Sequence, residues 1–213
     1  MCRNLPGMSP RGRFIVLEGG EGVGKTTQAE RLAVRLGARL TRKPGGTVLG
    51  EATRTLLLDP RLDSVAPRAE LLLMVAARAQ HVAEVIRPAL DEGRWVVTDR
   101  FSASTLAYQG YGRGLDPEEL AGLIGWATGG LRPDLTILVD VPVALASERR
   151  AAAGSSDDRF EGQAGGFHQR VADGYHRLAA SGATPWLVVD GTGPVDAVAA
   201  AVWSDVAPLV GPR

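Results

Sequence analysis

Residues 13–36, RFIVLEGGEGVGKTTQAERLAVRL, combine a short apolar run, a glycine-rich loop and an amphipathic stretch in direct succession. The apolar run at 14–17 contains aromatic and β-branched residues, which suit a strand that is buried on both faces. After the loop, apolar residues recur at helical spacing, and Gly37 stands where a helix commonly ends. The apolar face of this helix consists of Ala29, Leu32, Ala33 and Leu36. The stretch therefore predicts a strand–loop–helix unit.

The loop at 19–26 matches the pattern G-x-x-x-x-G-K-[ST] at every fixed position, between a strand and a helix. Its glycines allow successive backbone N–H groups to converge on one anion, and the helix N-terminus adds partial positive charge. Lys25 is placed to reach the β- and γ-phosphates, and the Thr26 hydroxyl is placed to ligate Mg²⁺. A plain glycine-rich turn is the alternative, but the complete motif in its context favours a nucleoside triphosphate site. The residues predicted to bind the triphosphate are Gly19, Gly20, Glu21, Gly22, Val23, Gly24, Lys25, Thr26 and Thr27.

Length and composition indicate a single globular domain. The chain has 213 residues, of which 45% are hydrophobic and 23% charged. Lys plus Arg and Asp plus Glu both number 24, so no global field favours nucleic acid or a membrane surface. The lone cysteine, Cys2, excludes an internal disulfide and fits a cytoplasmic protein. We expect a loose tail at 1–12, no membrane span and no secretory signal.

Further predicted strands, a short one at 39–41 and apolar runs at 95–97, 135–139 and 186–189, alternate with stretches of helical periodicity. This alternation predicts an α/β fold with a central parallel sheet of about five strands, covered by helices on both faces. Ligands then bind at the carboxyl ends of the strands. A long helix from Pro67 to about Leu90 carries a broad apolar stripe, which suggests a subunit contact. Asp116 and Pro117 begin another helix as N-cap and first residue.

Two polar residues end the strand predicted at 95–97. Asp99 occupies the expected place of an acidic residue that helps to hold Mg²⁺ opposite the phosphate loop. A solvated aspartate at a strand end is the alternative. Arg100 places a planar, bidentate donor where a second phosphate would lie. The phosphate loop alone indicates a nucleotide and not a reaction, because switches, motors and kinases share it.

Several segments together resemble the thymidylate kinase family and follow its order. They are LEGGEGVGKTT (17–27), TRKPGGT (41–47), AELLLMVAARAQHV (69–82), DRFSASTLAYQG (99–110), GRGLD (112–116), RPDLTILVDV (132–141) and DDRFE (157–161). The resemblance covers most of the chain from residue 14 to about 198. It implies a three-layer P-loop kinase fold with a short lid, and transfer of the γ-phosphoryl group of MgATP to dTMP. It also implies a homodimer.

The resemblance implies roles for residues that would contact the acceptor nucleotide. Arg42 and Arg100 would clamp its phosphate, and Arg78 would donate to the base edge. Ser104 and Gln109 would lie along the base. A surface position remains the alternative for Arg78.

Two residues would lie at the sugar. Tyr108 would fill the space that a ribose 2′-hydroxyl needs and so favour deoxyribose, with plain core packing as the alternative. Glu21 would accept a hydrogen bond from the 3′-hydroxyl. No general base is needed, since the acceptor is already a phosphate oxyanion.

The resemblance also implies a lid at about 149–166 that would close over ATP with an arginine. Arg149, Arg150 and Arg159 are the candidates. One guanidinium against the transferred phosphoryl group is worth several powers of ten in rate. The predicted catalytic residues are Lys25, Arg100, Arg149 and Arg159.

Three features depart from the family pattern. Lys43 stands where the family usually has glutamate, and Met74 stands where an aromatic ring usually stacks on thymine. Methionine can cover a base face, but less rigidly than a ring. The lid also has few arginines, with Ala151 and Ala153 before the loop. A kinase of the same fold for another deoxynucleoside or modified pyrimidine monophosphate is therefore the alternative, followed by a non-catalytic nucleotide-binding relative.

Overall fold

A computed structural model describes residues 11–62, 65–154, 166–182 and 184–210. In these ranges five parallel strands form one sheet in the order β2-β3-β1-β4-β5. The strands are β1 (Phe14–Glu18), β2 (Arg39–Arg42), β3 (Val96–Asp99), β4 (Leu135–Asp140) and β5 (Trp186–Asp190). The predicted five-stranded parallel sheet is confirmed. The tail expected at 1–12 lies almost wholly outside the described residues.

The central strand β1 fixes where the phosphate loop begins. All five of its residues are buried, and Leu17 pairs with Asp99 of β3 and with Ile137 of β4. The loop that leaves β1 therefore emerges between the carboxyl ends of β3 and β4. Asp99 is thus brought to the loop by strand register alone.

Helices cover both faces of the sheet, as the alternation of elements predicted. They are α1 (Lys25–Leu36), α2 (Val48–Leu58), α3 (Pro67–His81), α4 (Arg87–Asp91), α5 (Ser102–Thr105), α6 (Pro117–Thr128), α7 (Val143–Ala152), α8 (Phe167–Ala180) and α9 (Val195–Val210). Ile15 and Leu17 of β1 belong to the core cluster that contains α1 and α9. Phe14 and Val16 point into the opposite cluster with Ile86 and Leu90. The period of two along β1 thus supplies both cores of a three-layer fold.

The long helix predicted from Pro67 to about Leu90 is interrupted by one π-helical turn, Val82–Ile86, between α3 and α4. In this turn the Arg87 N–H bonds to the Val82 carbonyl. Pro88 has no N–H and would clash with the carbonyl four residues earlier in a regular helix. The wider turn accommodates it, so the helix continues.

A second π-helical segment, Leu106–Gly112, follows α5 directly. It contains Tyr108 and Gln109, both buried. π-Helical turns occur often at functional sites because they change the direction in which side chains point.

The predicted start of α6 is confirmed. Asp116 is its N-cap, and the carboxylate accepts a hydrogen bond of 2.7 Å from the Glu118 N–H, with Pro117 as first residue. The last helix runs to Val210, although Pro208 lies within it. None of the helices in the described ranges has the length and apolar character that a membrane crossing requires.

Candidate active site

The phosphate loop adopts backbone conformations that favour glycine. Gly19, Gly22 and Gly24 have φ values of 141°, 74° and 90°. A Cβ atom on Gly19 would also lie 2.6 Å from the Val139 carbonyl oxygen of β4. The loop is therefore open to an anion and pressed closely against the sheet.

Lys25 lies folded over this loop. Its Nζ donates to the Gly20 carbonyl and lies 4.0 Å from Glu21 Oε2. Burial, and then the nearby Arg100 guanidinium, lower the pKa of Lys25. An incoming phosphate would supply the negative charge that this buried amino group otherwise finds only in Glu21 and more distant carboxylates.

The Thr26 hydroxyl donates a hydrogen bond of 2.5 Å to Asp99 Oδ2. The other carboxylate oxygen, Oδ1, is buried and has no hydrogen-bond partner among the described residues. Hydroxyl and carboxylate oxygens are ligands that Mg²⁺ accepts, and it usually completes its shell with phosphate oxygens and water. The described residues contain no cluster of three acidic, histidine or cysteine side chains. Thr26 and Asp99 therefore fit a magnesium ion that arrives with a nucleotide.

A cavity of about 270 Å³ opens beside Lys25, at the carboxyl ends of the strands. The predicted acceptor-site residues line this cavity and come from widely separated parts of the chain. Its lining includes the cations Lys25, Arg42, Lys43, Arg54, Arg78 and Arg100, with Glu21 and Asp99 as acidic residues, and the neutral residues Met74, Ser104, Tyr108 and Gln109. This excess of positive charge suits a polyanionic ligand.

Arg100 is held at the junction of three elements. Its φ of 70° is the only positive value for a non-glycine residue in the described ranges. Nη1 donates to the Gly19 carbonyl at 2.9 Å, to Ser104 Oγ at 3.1 Å and to the Tyr175 hydroxyl at 3.0 Å. A left-handed conformation strains a residue with a Cβ, so these contacts must compensate for it.

The other end of this guanidinium contacts Glu21. Arg100 Nη2 lies 2.5 Å from Glu21 Oε1 and 3.1 Å from the Tyr108 hydroxyl, which itself donates to Glu21 at 3.0 Å. Burial acts to raise the pKa of Glu21, but Arg100 and Lys25 outweigh it and lower the value to about 2. The carboxylate is therefore charged and pairs with Arg100.

Tyr108 combines the two roles that the sequence left as alternatives. Its ring packs in a core cluster with Phe167 and Tyr175, while its hydroxyl faces Glu21 and Arg100. Burial raises the pKa of Tyr108, so the phenol stays protonated. A protonated phenol can donate to Glu21 and accept from Arg100 at once.

Arg78 is fully buried, at 0% exposure, so the surface alternative is wrong. Its Nη2 donates to the Phe101 carbonyl at 2.9 Å and to Thr105 Oγ1 at 2.5 Å. Nε and Nη1 have no hydrogen-bond partner among the residues that the structure describes. Burial lowers the pKa of Arg78 to about 10, which keeps it charged. Nε and Nη1 of this charged side chain can therefore donate hydrogen bonds to a ligand in the cavity.

The other predicted base and phosphate contacts have partners within the protein. Gln109 is buried, and its amide donates to Glu70 Oε1 at 2.8 Å. Arg42 is partly exposed and donates to both carboxylate oxygens of Glu51 at 3.1 and 3.0 Å. Met74 accepts a hydrogen bond of 2.7 Å at its carbonyl from Lys43 Nζ. Arg42, Met74 and Gln109 still border the cavity.

The two candidate arginines at the end of α7 point in different directions. Arg149 donates to the Gly191 and Thr192 carbonyls, both at 2.8 Å, and so faces the loop after β5. Arg150 packs against the phosphate loop, where its Cγ would lie 2.7 Å from a Cβ on Gly22. Its Nη1 is buried and has no hydrogen-bond partner within the part of the chain that the structure describes. Arg159 and most of the predicted lid lie outside the described residues.

Sequence reasoning missed two residues of this site, Glu18 and Tyr175. Glu18 is fully buried at the end of β1 and accepts from the Phe101 and Ser104 N–H groups at 2.9 and 3.2 Å. It also accepts from Ser104 Oγ at 2.5 Å and from the Tyr175 hydroxyl at 3.1 Å. An acidic residue that ends an apolar strand was the available signal for Glu18. Tyr175 had none, because its spacing matched an ordinary helix core.

Replacing Glu18 by glutamine should destabilise the protein, because an amide NH₂ would face groups that are themselves donors. We expect the free energy of unfolding to fall by about 2 kcal/mol, since a buried unpaired donor costs roughly 1–3 kcal/mol. Urea denaturation measures this difference. The matched control is Glu92→Gln, which alters an exposed pair with Arg94 and should cost below about 0.5 kcal/mol. Equal effects of the two changes would contradict the network described for Glu18.

Comparison with known proteins places this arrangement in a family. Residues 17–202 match the family model for thymidylate kinase. The chain is 50% identical over 196 residues to a thymidylate kinase of Desulfovibrio desulfuricans, covering 87% of this chain and 90% of that protein. It is also 50% identical over 198 residues to a thymidylate kinase of Thermomicrobium roseum, covering 91% and 93%. The crystal structure of thymidylate kinase from Ehrlichia chaffeensis superimposes with a TM-score of 0.75 at 31% identity, covering 92% of this chain and 99% of that one. The chain belongs to the thymidylate kinase family.

Proposed function

We propose that this chain transfers the γ-phosphoryl group of MgATP to dTMP, giving dTDP and ADP, in the cavity beside Lys25. The observation that carries the proposal is that one cavity is bordered both by the phosphate loop and by Arg42, Arg78 and Arg100. Two anionic nucleotides can therefore meet end to end, each held by its own set of donors. A nucleotide-binding relative without an acceptor would not require the second set.

Catalysis in this arrangement comes from position and charge. The loop N–H groups and Lys25 would hold the β- and γ-phosphates, with Thr26 and Asp99 at the magnesium ion. A magnesium ion held by Thr26 and Asp99 would supply positive charge to neutralise the phosphates. The acceptor phosphate attacks as an oxyanion, so no side chain has to remove a proton.

Arg100 can receive the acceptor phosphate by exchanging one partner. Its Nη1 is anchored by Gly19, Ser104 and Tyr175, whereas Nη2 has the carboxylate of Glu21 as its charged partner. A phosphate oxygen can replace that carboxylate, because a guanidinium forms charge-assisted hydrogen bonds with either anion. Glu21 is then free to accept from the sugar 3′-hydroxyl.

The base would lie toward α3. The unpartnered Nε and Nη1 of Arg78 suit a carbonyl oxygen on a pyrimidine, and the Met74 side chain can cover a base face. Tyr108 borders the same cavity, where its ring would exclude a 2′-hydroxyl. Ser104 and Gln109 are already hydrogen-bonded within the protein, so we infer that they shape the base site more than they donate to it.

An acceptor panel tests this function. Purified protein with MgATP should form dTDP from dTMP with a higher kcat/KM than for dUMP, dCMP, dAMP, dGMP or 5-substituted deoxyuridine monophosphates. Lys25→Ala is the control and should reduce transfer to background, because the buried ammonium at the phosphates is lost. Absence of dTDP, or a clear preference for another monophosphate, would overturn the assignment to dTMP.

We propose Arg150 as the α7 arginine that stabilises the transferred phosphoryl group. It packs on Gly22 of the phosphate loop, contributes to lowering the pKa of Glu21, and keeps a buried, unpartnered Nη1. Arg149 instead ties α7 to the loop after β5 through two carbonyls. Arg159 remains a second candidate for the same charge.

Comparing Arg150→Ala with Arg149→Ala separates these roles. The Arg150 variant should lower kcat at least about a hundredfold, because a preorganised donor at the developing charge is lost. The Arg149 variant should change kcat less than about tenfold and mainly reduce the melting temperature, since it loses two carbonyl contacts. Steady-state kinetics at saturating dTMP and ATP measure both. The reverse order of effects would assign the catalytic charge to Arg149.

We infer that the chain forms a homodimer through exposed apolar side chains on three neighbouring helices. Leu56 of α2 is 50% exposed, Leu72 of α3 is 58% exposed and Trp126 of α6 is 80% exposed. α3 packs against both α2 and α6. Exposed apolar groups concentrated on adjacent elements are typical of subunit contacts.

Sedimentation equilibrium at micromolar concentration tests the dimer. The wild-type protein should sediment with twice the chain mass, and Leu72→Glu should shift it to monomer by burying an unpaired charge at the contact. Val34→Glu is the control, because Val34 is 84% exposed on α1, away from the three helices. A wild-type monomer under these conditions would refute the dimer.

A further inference from the structure

Lys43 is a buried basic residue. None of the contacts proposed above for the phosphates or the sugar involves it. Its side chain borders the acceptor cavity, and the residue is only 4% exposed. Nζ donates to the Met74 carbonyl at 2.7 Å and lies 3.9 Å from Met74 Sδ. Among the described residues, no carboxylate forms an ion pair with it. A lysine without a counter-charge is costly to bury, so its location calls for an explanation.

The charged and titratable groups around Lys43 come from α3 and β1. Arg78 and His81 lie on α3, and Glu18 lies at the end of β1. Burial, and then Arg78, hold the pKa of Lys43 well below its usual range, while Glu18 acts in the opposite direction. Burial, Lys43 and Arg78 lower the pKa of His81 to about 4, so His81 is neutral.

Glu18 does not neutralise this pair of cations by direct contact. Its carboxylate already accepts from the N–H groups of Phe101 and Ser104 and from the hydroxyls of Ser104 and Tyr175. On the α3 side of the cavity, Lys43 and Arg78 therefore present donors that exceed the acceptors around them. A ligand that brings acceptor oxygens to this wall gains more there than in water.

We propose that Lys43 is a specificity-determining residue of the acceptor site. Its amino group borders the same cavity as the N–H groups of Arg78 that have no partner among the described residues, and together they bind the carbonyl edge of the acceptor base and select thymine or uracil over cytosine. The inference rests on the proposed function, because it takes the base to lie against Met74 and Arg78. In this inference Lys43 contributes to the selection of the base in addition to Arg78.

The selection follows from hydrogen-bond chemistry. A carbonyl oxygen has two lone pairs and can accept from both cations, whereas the exocyclic amine of cytosine would place its own N–H groups against them. Donors left unpaired in a buried site are expensive, so sites of this kind reject the wrong analogue strongly. A lysine contributes a compact charge that can reach the oxygen from the Met74 side, whereas Nη2 of the planar arginine fork is already engaged with Phe101 and Thr105.

Kinetics of Lys43→Met test the selection, because methionine keeps the length of the side chain and removes its donors. The ratio of kcat/KM for dTMP to that for dCMP should fall by about tenfold or more, as expected for a lost charged hydrogen bond. The change should appear mainly in the KM for dTMP, with kcat and the KM for ATP within about threefold of wild type. Lys43→Arg retains a donor and should restore part of the ratio. Melting temperatures identify any loss of folded protein, and none is expected when a buried charge is removed.

Proton uptake on binding gives a second readout that a structural role would not produce. A lysine with an ordinary pKa is charged throughout the neutral pH range and takes up no proton on binding. Burial and Arg78 lower the pKa of Lys43, and acceptor oxygens beside Nζ favour its charged form, so dTMP binding without ATP should raise this pKa and take up a proton at pH values between the free and bound values. Titration calorimetry in buffers of different ionisation enthalpy measures the uptake, which should disappear in Lys43→Met.

The outcomes separate this inference from the proposed function. If the wild-type protein forms no dTDP, the proposed function fails. If it forms dTDP while Lys43→Met keeps the dTMP-to-dCMP ratio and the same proton uptake, the assignment of Lys43 is overturned and the function stands. A lower ratio together with lost uptake supports the assignment.

Discussion

The ion pair between Arg100 and Glu21 joins the two halves of the site. Through one guanidinium it connects the phosphate loop, the π-helical segment that carries Tyr108 and, by way of Tyr175, helix α8. Glu18 supports the same junction from below by accepting four hydrogen bonds from α5, its preceding residue and α8. These hydrogen bonds hold the Arg100 side chain in place, and so they compensate for the strain of its left-handed backbone.

The cavity is built at the expense of stability. Within the described ranges, Nε and Nη1 of Arg78 are buried without partners, Asp99 keeps one buried carboxylate oxygen unpaired, and Lys43 has no acidic partner. Each of these groups would be cheaper to bury as an apolar residue. Their orientation before any ligand arrives reduces the reorganisation needed on binding, which is the usual compensation for strained or unsatisfied groups in active sites.

The sequence predicted the sheet because all of its strands except β2 contain apolar runs. It predicted the positions of Thr26 and Asp99 because the motif and the strand end imply them. The sequence did not predict the directions in which long polar side chains point. Arg149 and Arg150 are adjacent on α7, yet one reaches Gly191 and the other packs on Gly22. The partners that decide this lie far away in the chain, so no local pattern could separate them. Lys43 looked like a charge reversal at a turn, and its burial depends on the distant Met74 carbonyl.

The conformation of Arg100 restricts how this protein can diverge. Glycine or asparagine would suit a φ of 70°, and lysine would keep the charge. None of these three residues supplies the five N–H donors of a guanidinium on a left-handed backbone. Stepwise substitution at this position therefore passes through variants that lose one requirement or the other. Evolutionary drift in the choice of nucleotide is more accessible at positions such as 43 and 74, where the backbone is not left-handed and many side chains are therefore open to selection.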